Sequence, residues 1–443
     1  MLVSEDGKKV ANARLQYLFF GALLLGVAFL VAIEIAAWHF RIEGPTGNLL
    51  HDVAFGPKRG PLLWGALVMA MVGLAPRERI RCLSLAAGID LAFFLGRLAG
   101  GTRWTFGNGA LIVLVGLGGW AAARWTAQRR IDALRGVGIG FLLIMASKIS
   151  DTFLRITAIT QPMVLDEYVA TADRSLGLPA WWMGRLVVAS GPVGHLILQT
   201  VYIQLPVGAI IVAIYQLRKG WPGHHLVRTF LAIGMIGPIC YLLFPVVGPV
   251  YAFGQGGGAF TVNHVWPNVN AFNLQPHAMR FDAFTPRNCM PSLHTAWAVA
   301  IFIHSRRGPR WLQRFGTFWM VATLTATLGF GYHYGVDLVA GVIFCLTIES
   351  GLRDPERGWG WFRVRLLLAG SGSLVGLLLA YRFLADSMAS YPTVSGPLLL
   401  GVMGAMILAF HATFFAPAGS LAAWGRPDGA RKGALVGNAS QAS

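Results

Sequence analysis

Charge is what this chain of 443 residues has least of: 12% of its residues are charged, against 55% hydrophobic ones. An ordinary soluble domain carries about 25% charged residues, so a water-soluble globule is excluded. Acidic residues are the scarcer sign, 19 against 36 Lys and Arg. Cysteine is scarce too. Cys82, Cys240, Cys289 and Cys345 show no CxxC spacing and three of them lie in apolar runs, so neither a disulfide framework nor a metal site is indicated. No convincing small-residue cleavage pattern follows the first apolar stretch, from Tyr17 to Trp38 with Glu34 inside it. That stretch reads as an uncleaved anchor. Internal repeats relating the two halves are absent as well.

What the chain has is long apolar runs. Each crossing of roughly 30 Å of hydrocarbon takes about 20 apolar residues, and the pattern predicts an all-α polytopic membrane protein of about 12 transmembrane helices. The run from 186 to 217 is long enough to be tilted or broken. The net charge of +17 raises the question of nucleic acid, but its distribution answers it. Basic residues cluster in alternate short loops: Arg77, Arg79 and Arg81; Arg124, Arg129, Arg130 and Arg135; Arg218, Lys219 and Arg228. Arg306, Arg307, Arg310 and Arg314, then Arg353, Arg357, Arg363 and Arg365, continue the series. Positive loops stay cytoplasmic, which puts both termini inside. The excess is a topology signal with some attraction for anionic headgroups, and no nucleic-acid partner is expected.

Residues 1–130 supply four expected spans with no readable chemistry. Asp90 and Arg97, at i and i+7, are expected to form an ion pair on one helix face. Residues 131–350, with six spans, form the expected catalytic core; 351–425 add two helices and 426–443 a disordered cytoplasmic tail. Within the core, Asp166 to Trp182 has the polar-then-aromatic character of an outer amphipathic segment. Lys148, Asp151 and Arg155 make a charged stripe that either lines a substrate cavity or neutralises itself. The segment Phe244–Tyr251 breaks a span, as a kink or as the lining of a cleft. A long loop, 253–288, leads into the chemistry.

That chemistry is carried by Met290-Pro291-Ser292-Leu293-His294-Thr295-Ala296 and by His333-Tyr334-Gly335-Val336-Asp337. Counting spans from a cytoplasmic N-terminus places His294, His333 and Asp337 together at the extracytoplasmic face. Both histidines fall near helix N-termini, whose unpaired N–H groups suit phosphate. Pro291 fits a first helical turn. Asp337 lies four residues after His333, where a carboxylate can hold an imidazole N–H and fix its tautomer.

The two motifs resemble those of the type 2 phosphatidic acid phosphatase (PAP2) superfamily. Within it they look most like the branch containing inositol phosphorylceramide synthase, where PSLH-type and HYxVDLxAG-type motifs recur together. The resemblance covers residues 160–350 and implies a six-helix catalytic core. It implies that His333 is a nucleophile forming phosphohistidine, that Asp337 orients it, and that His294 protonates the leaving group and deprotonates the acceptor. Three departures stand out: Thr327 replaces the phosphatase Arg, Leu293 the usual Gly, and the Lys-x6-Arg-Pro element is missing. Arg287 and Arg280, above the site, are therefore expected phosphate contacts, with Ser292, Tyr334, Lys148 and Arg155 as further substrate-binding candidates. The resemblance implies no metal and no soluble cofactor. It points to a lipid-linked phosphate substrate among membrane lipids, in a bacterial plasma membrane. The expected activity is lipid phosphotransfer; a lipid phosphate or pyrophosphate phosphatase uses the same residues, and a transporter or scaffold with a vestigial site is the third reading.

Overall fold

The computed structural model describes residues 24–253, 274–279 and 285–416, apart from residues 25, 55, 58, 102, 103 and 219. The described chain is helical almost throughout. Helix α1 (Gly26–His39) and the short α2 (Pro45–Ala54) lead into α3 (Gly60–Ala70), α4 (Pro76–Ala99), α5 (Asn108–Arg124) and the long α6 (Ala127–Thr160). Strand β1 (Met163–Val164), α7 (Asp166–Asp173) and α8 (Pro179–Ala189) follow, then α9 (Gly191–Ile203), α10 (Leu205–Leu217), α11 (Leu226–Leu243) and one-turn α12 (Pro249–Ala252). Strand β2 (His277–Ala278) pairs antiparallel with β1. The chain then forms α13 (Leu293–Ser305), α14 (Arg310–Gly329), α15 (Gly335–Leu352), α16 (Trp361–Phe383), α17 (Ala385–Ser390) and α18 (Pro392–Phe414). Helices α3, α4, α8, α9, α10 and α18 carry proline in the first turn, where a missing N–H costs nothing.

Six described helices are long and apolar enough to cross a membrane, namely α4, α6, α11, α15, α16 and α18. The bent pair α9–α10 makes a seventh. Among the described residues this is fewer than the expected twelve. Helices α1, α3, α5 and α13 are apolar but shorter; eleven-residue α3 reaches about 16 Å at 1.5 Å per residue, half the hydrocarbon depth. An apolar run signals burial, and α3 is buried by its neighbours along most of its length. The run from 186 to 217 is broken, with a 61° bend between α9 and α10.

Two apolar clusters organise the bundle. One joins α3 to α6 and draws in Ile210, Ala213 and Val227. There α6 lies directly on α3: a Cβ at Gly136 or Gly140 would strike the carbonyls of Ala70 and Ala66. The other cluster joins α10 and α11 to α13–α18 and holds the motif residues. The Asp90–Arg97 pair does not form. Asp90 accepts from Trp64 Nε1 and from the backbone N–H groups of Gly107 and Gly109, each at 2.8 Å, and so caps the start of α5. Arg97 donates to Thr105 O and Asn108 Oδ1, both at 2.9 Å. Opposite charges two turns apart are each better satisfied by the orphan groups of a helix end.

Candidate active site

The site is built where α13 and α15 begin side by side. Ser292 caps α13, its Oγ accepting from Thr295 N at 3.3 Å and from Thr295 Oγ1 at 3.0 Å. Pro291 precedes the cap, joined to Met290 by a cis peptide bond, so it lies outside the first turn where it was expected. His294 is the second residue of the helix. Tyr334 caps α15, and Asp337 Oδ2 accepts the Tyr334 N–H at 2.8 Å. Ser292 N donates to Asp337 O at 3.2 Å, locking the two ends together.

His333, in the turn before α15, is held by Cys289. Its Nδ1 lies 2.9 Å from the Cys289 carbonyl oxygen, which can only accept. Nδ1 therefore carries the proton, and Nε2, with no partner among the described residues, keeps a lone pair. Asp337 Oδ2 stands farther off, 3.4 Å from Nδ1, so the carboxylate expected to fix the tautomer shares that task with a carbonyl. The Cys289 thiol donates to the same Oδ2 at 2.6 Å. Burial pushes the Cys289 thiol well above its usual range and pulls His333 down to about 4, the carbonyl hydrogen bond opposing the latter. His333 is thus a neutral base near pH 7. Asp337 Oδ1 is buried with no hydrogen-bond partner among the described residues.

His294 faces His333 with ring centroids 6.2 Å apart. Tyr202, at the end of α9, stacks on His294 at 4.1 Å, and its hydroxyl lies 3.3 Å from Nδ1. Tyr332 packs behind Tyr202 at 4.9 Å. Beside His294 opens a cavity of ≈ 400 Å³. Tyr202, Trp297, Asn288 and Phe230 line it, together with Arg59 before α3 and Leu143, Ser147 and Asp151 of α6. His294 is on the cavity surface; His333 lies behind it, 3% exposed.

The remaining candidates have structural partners. Arg287 is fully buried, with Nε, Nη1 and Nη2 directed to the carbonyls of Gln161, Thr285 and Met279 at 3.2, 2.8 and 2.7 Å. A phosphate would have to share that guanidinium with three carbonyls. Arg280 lies outside the described residues. Lys148 is buried in an ion pair with Asp52, whereas Asp151 from the same stripe does line the cavity; Arg155 is half-buried. Tyr334 donates to Asp166 Oδ1 at 2.9 Å, and Thr327 Oγ1 to Thr323 O within its own helix.

Several functional positions escaped the sequence reading. Asp166 and Asp173 are fully buried brackets for the site rather than members of an outer amphipathic surface. Asp166 accepts from Val247 N, Gly248 N and Tyr334 Oη; Asp173 accepts from Val336 N at 3.0 Å and so caps α15. Burial raises Asp166 to about 6 and Asp173 to about 8. The break at Phe244–Tyr251 is neither kink nor open cleft: residues 245–248 are irregular backbone that Asp166 and Cys289 stitch beneath the turn before α15, and α12 follows directly. Two acids seven residues apart in a chain poor in acids were the available signal. Tyr202 and Arg59 gave none.

Two groups could hold a metal by proximity, Cys289–His333–Asp337 and His224–His304–Glu349. In the first, the Cys289 thiol and the His333 Nδ1–H are spent as donors, so a metal would have to displace both protons.

Neither the curated proteins nor the solved structures give a significant match to this chain. Residues 17–156 match a family described as a domain of unknown function (DUF5933). Residues 167–349, which contain both motifs, α7 and Tyr202, match the model of the PAP2 superfamily, and a domain of that superfamily fits a lipid phosphatase or phosphotransferase acting in a membrane.

Proposed function

We propose that the protein is a lipid phosphotransferase working through phosphohistidine at the extracytoplasmic face. The observation that carries this reading is the facing pair of imidazoles, 6.2 Å apart, one with its lone pair on Nε2 and the other on the wall of a largely apolar cavity. His333 Nε2 attacks phosphorus, forming an N–P bond as the P–O bond to the leaving group breaks. His294 gives that oxygen a proton as imidazolium; burial draws its ring down to about 3, so it takes up that proton only as the anionic phosphate enters beside it. The acceptor hydroxyl then loses its proton to His294 and attacks the phosphohistidine, so the N–P bond breaks and His333 returns to its starting state. Asp337, 3.4 Å from Nδ1, balances the positive charge His333 gains on the way. Because His333 is nearly sealed, a phosphate reaches it only as the Tyr202–His294 stack parts from it.

Transfer is favoured over hydrolysis by Thr327 in place of the phosphatase Arg and by the HYGVDLVAG motif, which resembles that of inositol phosphorylceramide synthase. A cavity walled by Leu, Phe and Trp also favours a lipid alcohol over water as acceptor. The basic loops between α14's start and α13's end, and after α15, support a site on the outer side. Purified full-length protein given a lipid phosphate and a lipid alcohol should form a new phospholipid. Free phosphate as the main product would make it a phosphatase, and no turnover of any lipid phosphate would overturn the reading.

A further inference from the structure

Among the described residues, the PAP2-like segment sets no Lys or Arg on the cavity beside His294. Thr327 is uncharged, Arg287 is engaged by three carbonyls, and Lys148 is paired with Asp52. A phosphoryl group in transfer nonetheless needs donors on its non-bridging oxygens.

One cation does line the cavity. Arg59 precedes α3, inside the stretch that matches the domain of unknown function, and is the only Lys or Arg among the described lining residues. Its guanidinium is held by two residues of α6: Nη1 donates to Ser147 Oγ at 3.0 Å and Nη2 to Asp151 Oδ1 at 2.5 Å. Both partners line the same cavity, as does Ser150 one turn along. Apart from this polar corner, the wall that α3 and α6 contribute is apolar, through Leu62, Leu143 and Leu154. His294 lines the same cavity.

We infer that the N-terminal module completes the active site, with Arg59 as the phosphate-binding residue of the substrate pocket and Asp151 as the positioning residue that holds it. The substrate class is a lipid phosphate or phosphodiester, its anionic oxygens on Arg59 and its acyl part along the Leu-rich wall. This rests on the phosphotransfer reading above. It gives residues 17–156 a role: they supply the charge that the PAP2-like segment does without. Arg59 is 54% exposed in its side chain, so it can be replaced without opening a buried void.

Two measurements on the full-length protein test it. Binding of inorganic phosphate, by calorimetry in detergent, should weaken by about tenfold or more in Arg59→Ala, the loss expected for a hydrogen bond to a charged partner. Arg59→Lys should recover only part, because an ammonium lacks the planar fork. Asp151→Asn should weaken binding less than Arg59→Ala does. Turnover of a lipid phosphate should show the same order, mainly in KM. If wild type and Arg59→Ala bind phosphate equally, or if wild type binds none, the inference is wrong. Failure of the function reading looks different: phosphate binding that depends on Arg59 with no lipid turnover by wild type.

Discussion

Helices α13 and α15 carry a histidine–carboxylate cluster at each end, and only one of the two has the makings of an active site. At their C-terminal ends Glu349 is fully buried with four donors. His304 Nε2 lies 2.7 Å from Oε1, Thr229 Oγ1 2.5 Å from Oε1, Arg353 Nε 3.0 Å from Oε2 and His224 Nε2 3.3 Å from Oε2. Gln216 even sets the tautomer. Its Oε1 accepts from Leu226 N, so its amide N–H donates to His304 Nδ1 at 2.9 Å and leaves the Nε2–H for Glu349. Every polar atom on that carboxylate is spent. At the N-terminal ends, Asp337 has one oxygen and His333 its Nε2 with no partner among the described residues, and a ≈ 400 Å³ cavity opens beside His294. The Glu349 end also has a cavity, ≈ 140 Å³, lined by His224 and His304, and His224 Nδ1 has no partner among the described residues. What that end lacks is an open carboxylate oxygen and a large apolar cavity, and these rather than residue type or proximity mark the candidate site.

Mutations should separate the two ends. The largest effect is expected at the cavity end, where His333→Ala should bring turnover below detection and His294→Ala should cost about 10²–10⁴-fold in kcat. His304→Gln, at the other end, should leave kcat of the folded protein within severalfold of wild type. A second contrast pits the carboxylates. Glu349→Ala strands a buried Arg353 and should cost about 3–5 kcal/mol of stability, seen as a lower unfolding midpoint, with kcat per folded molecule retained. Asp337→Asn should do the reverse, keeping the fold and lowering kcat by tenfold or more. Equal loss of stability in both variants would erase the distinction. The smallest effect concerns pH. His333, drawn down to about 4 by burial, keeps its lone pair at every pH above that value. The acid limb of kcat/KM should therefore lie near pH 4 and not near 6.5, with little loss of rate between pH 7 and 5. The sign for stability is opposite: the unfolded chain binds the proton near pH 6.5, so this group's contribution falls as pH drops from there toward 4.

Much of this was legible in the sequence. The motifs around His294 and His333 announce themselves because their residues are local, and the membrane class follows from the scarcity of charge. The span count was not legible, because an apolar run reports burial, and α3 and α13 are buried by protein as readily as by lipid. The pairing of charges was not legible either. From spacing Asp90 looked paired with Arg97, and Lys148 and Arg287 looked available, yet each is committed to a helix end, to Asp52 or to loop carbonyls, partners brought near by tertiary structure alone. Arg59 shows the converse. It sits in an unremarkable stretch, 235 positions before His294, and only packing brings the two to one cavity.

The central claim, that the α13–α15 N-terminal end carries covalent chemistry, is tested most directly by trapping the intermediate. Full-length protein is mixed with a radiolabelled lipid phosphate, quenched within the first turnover, and the retained label is mapped by acid lability and peptide analysis. The account predicts an acid-labile label on His333 that survives His304→Gln and vanishes in His333→Ala. A label elsewhere, or turnover by wild type with no label at any quench time, would contradict it.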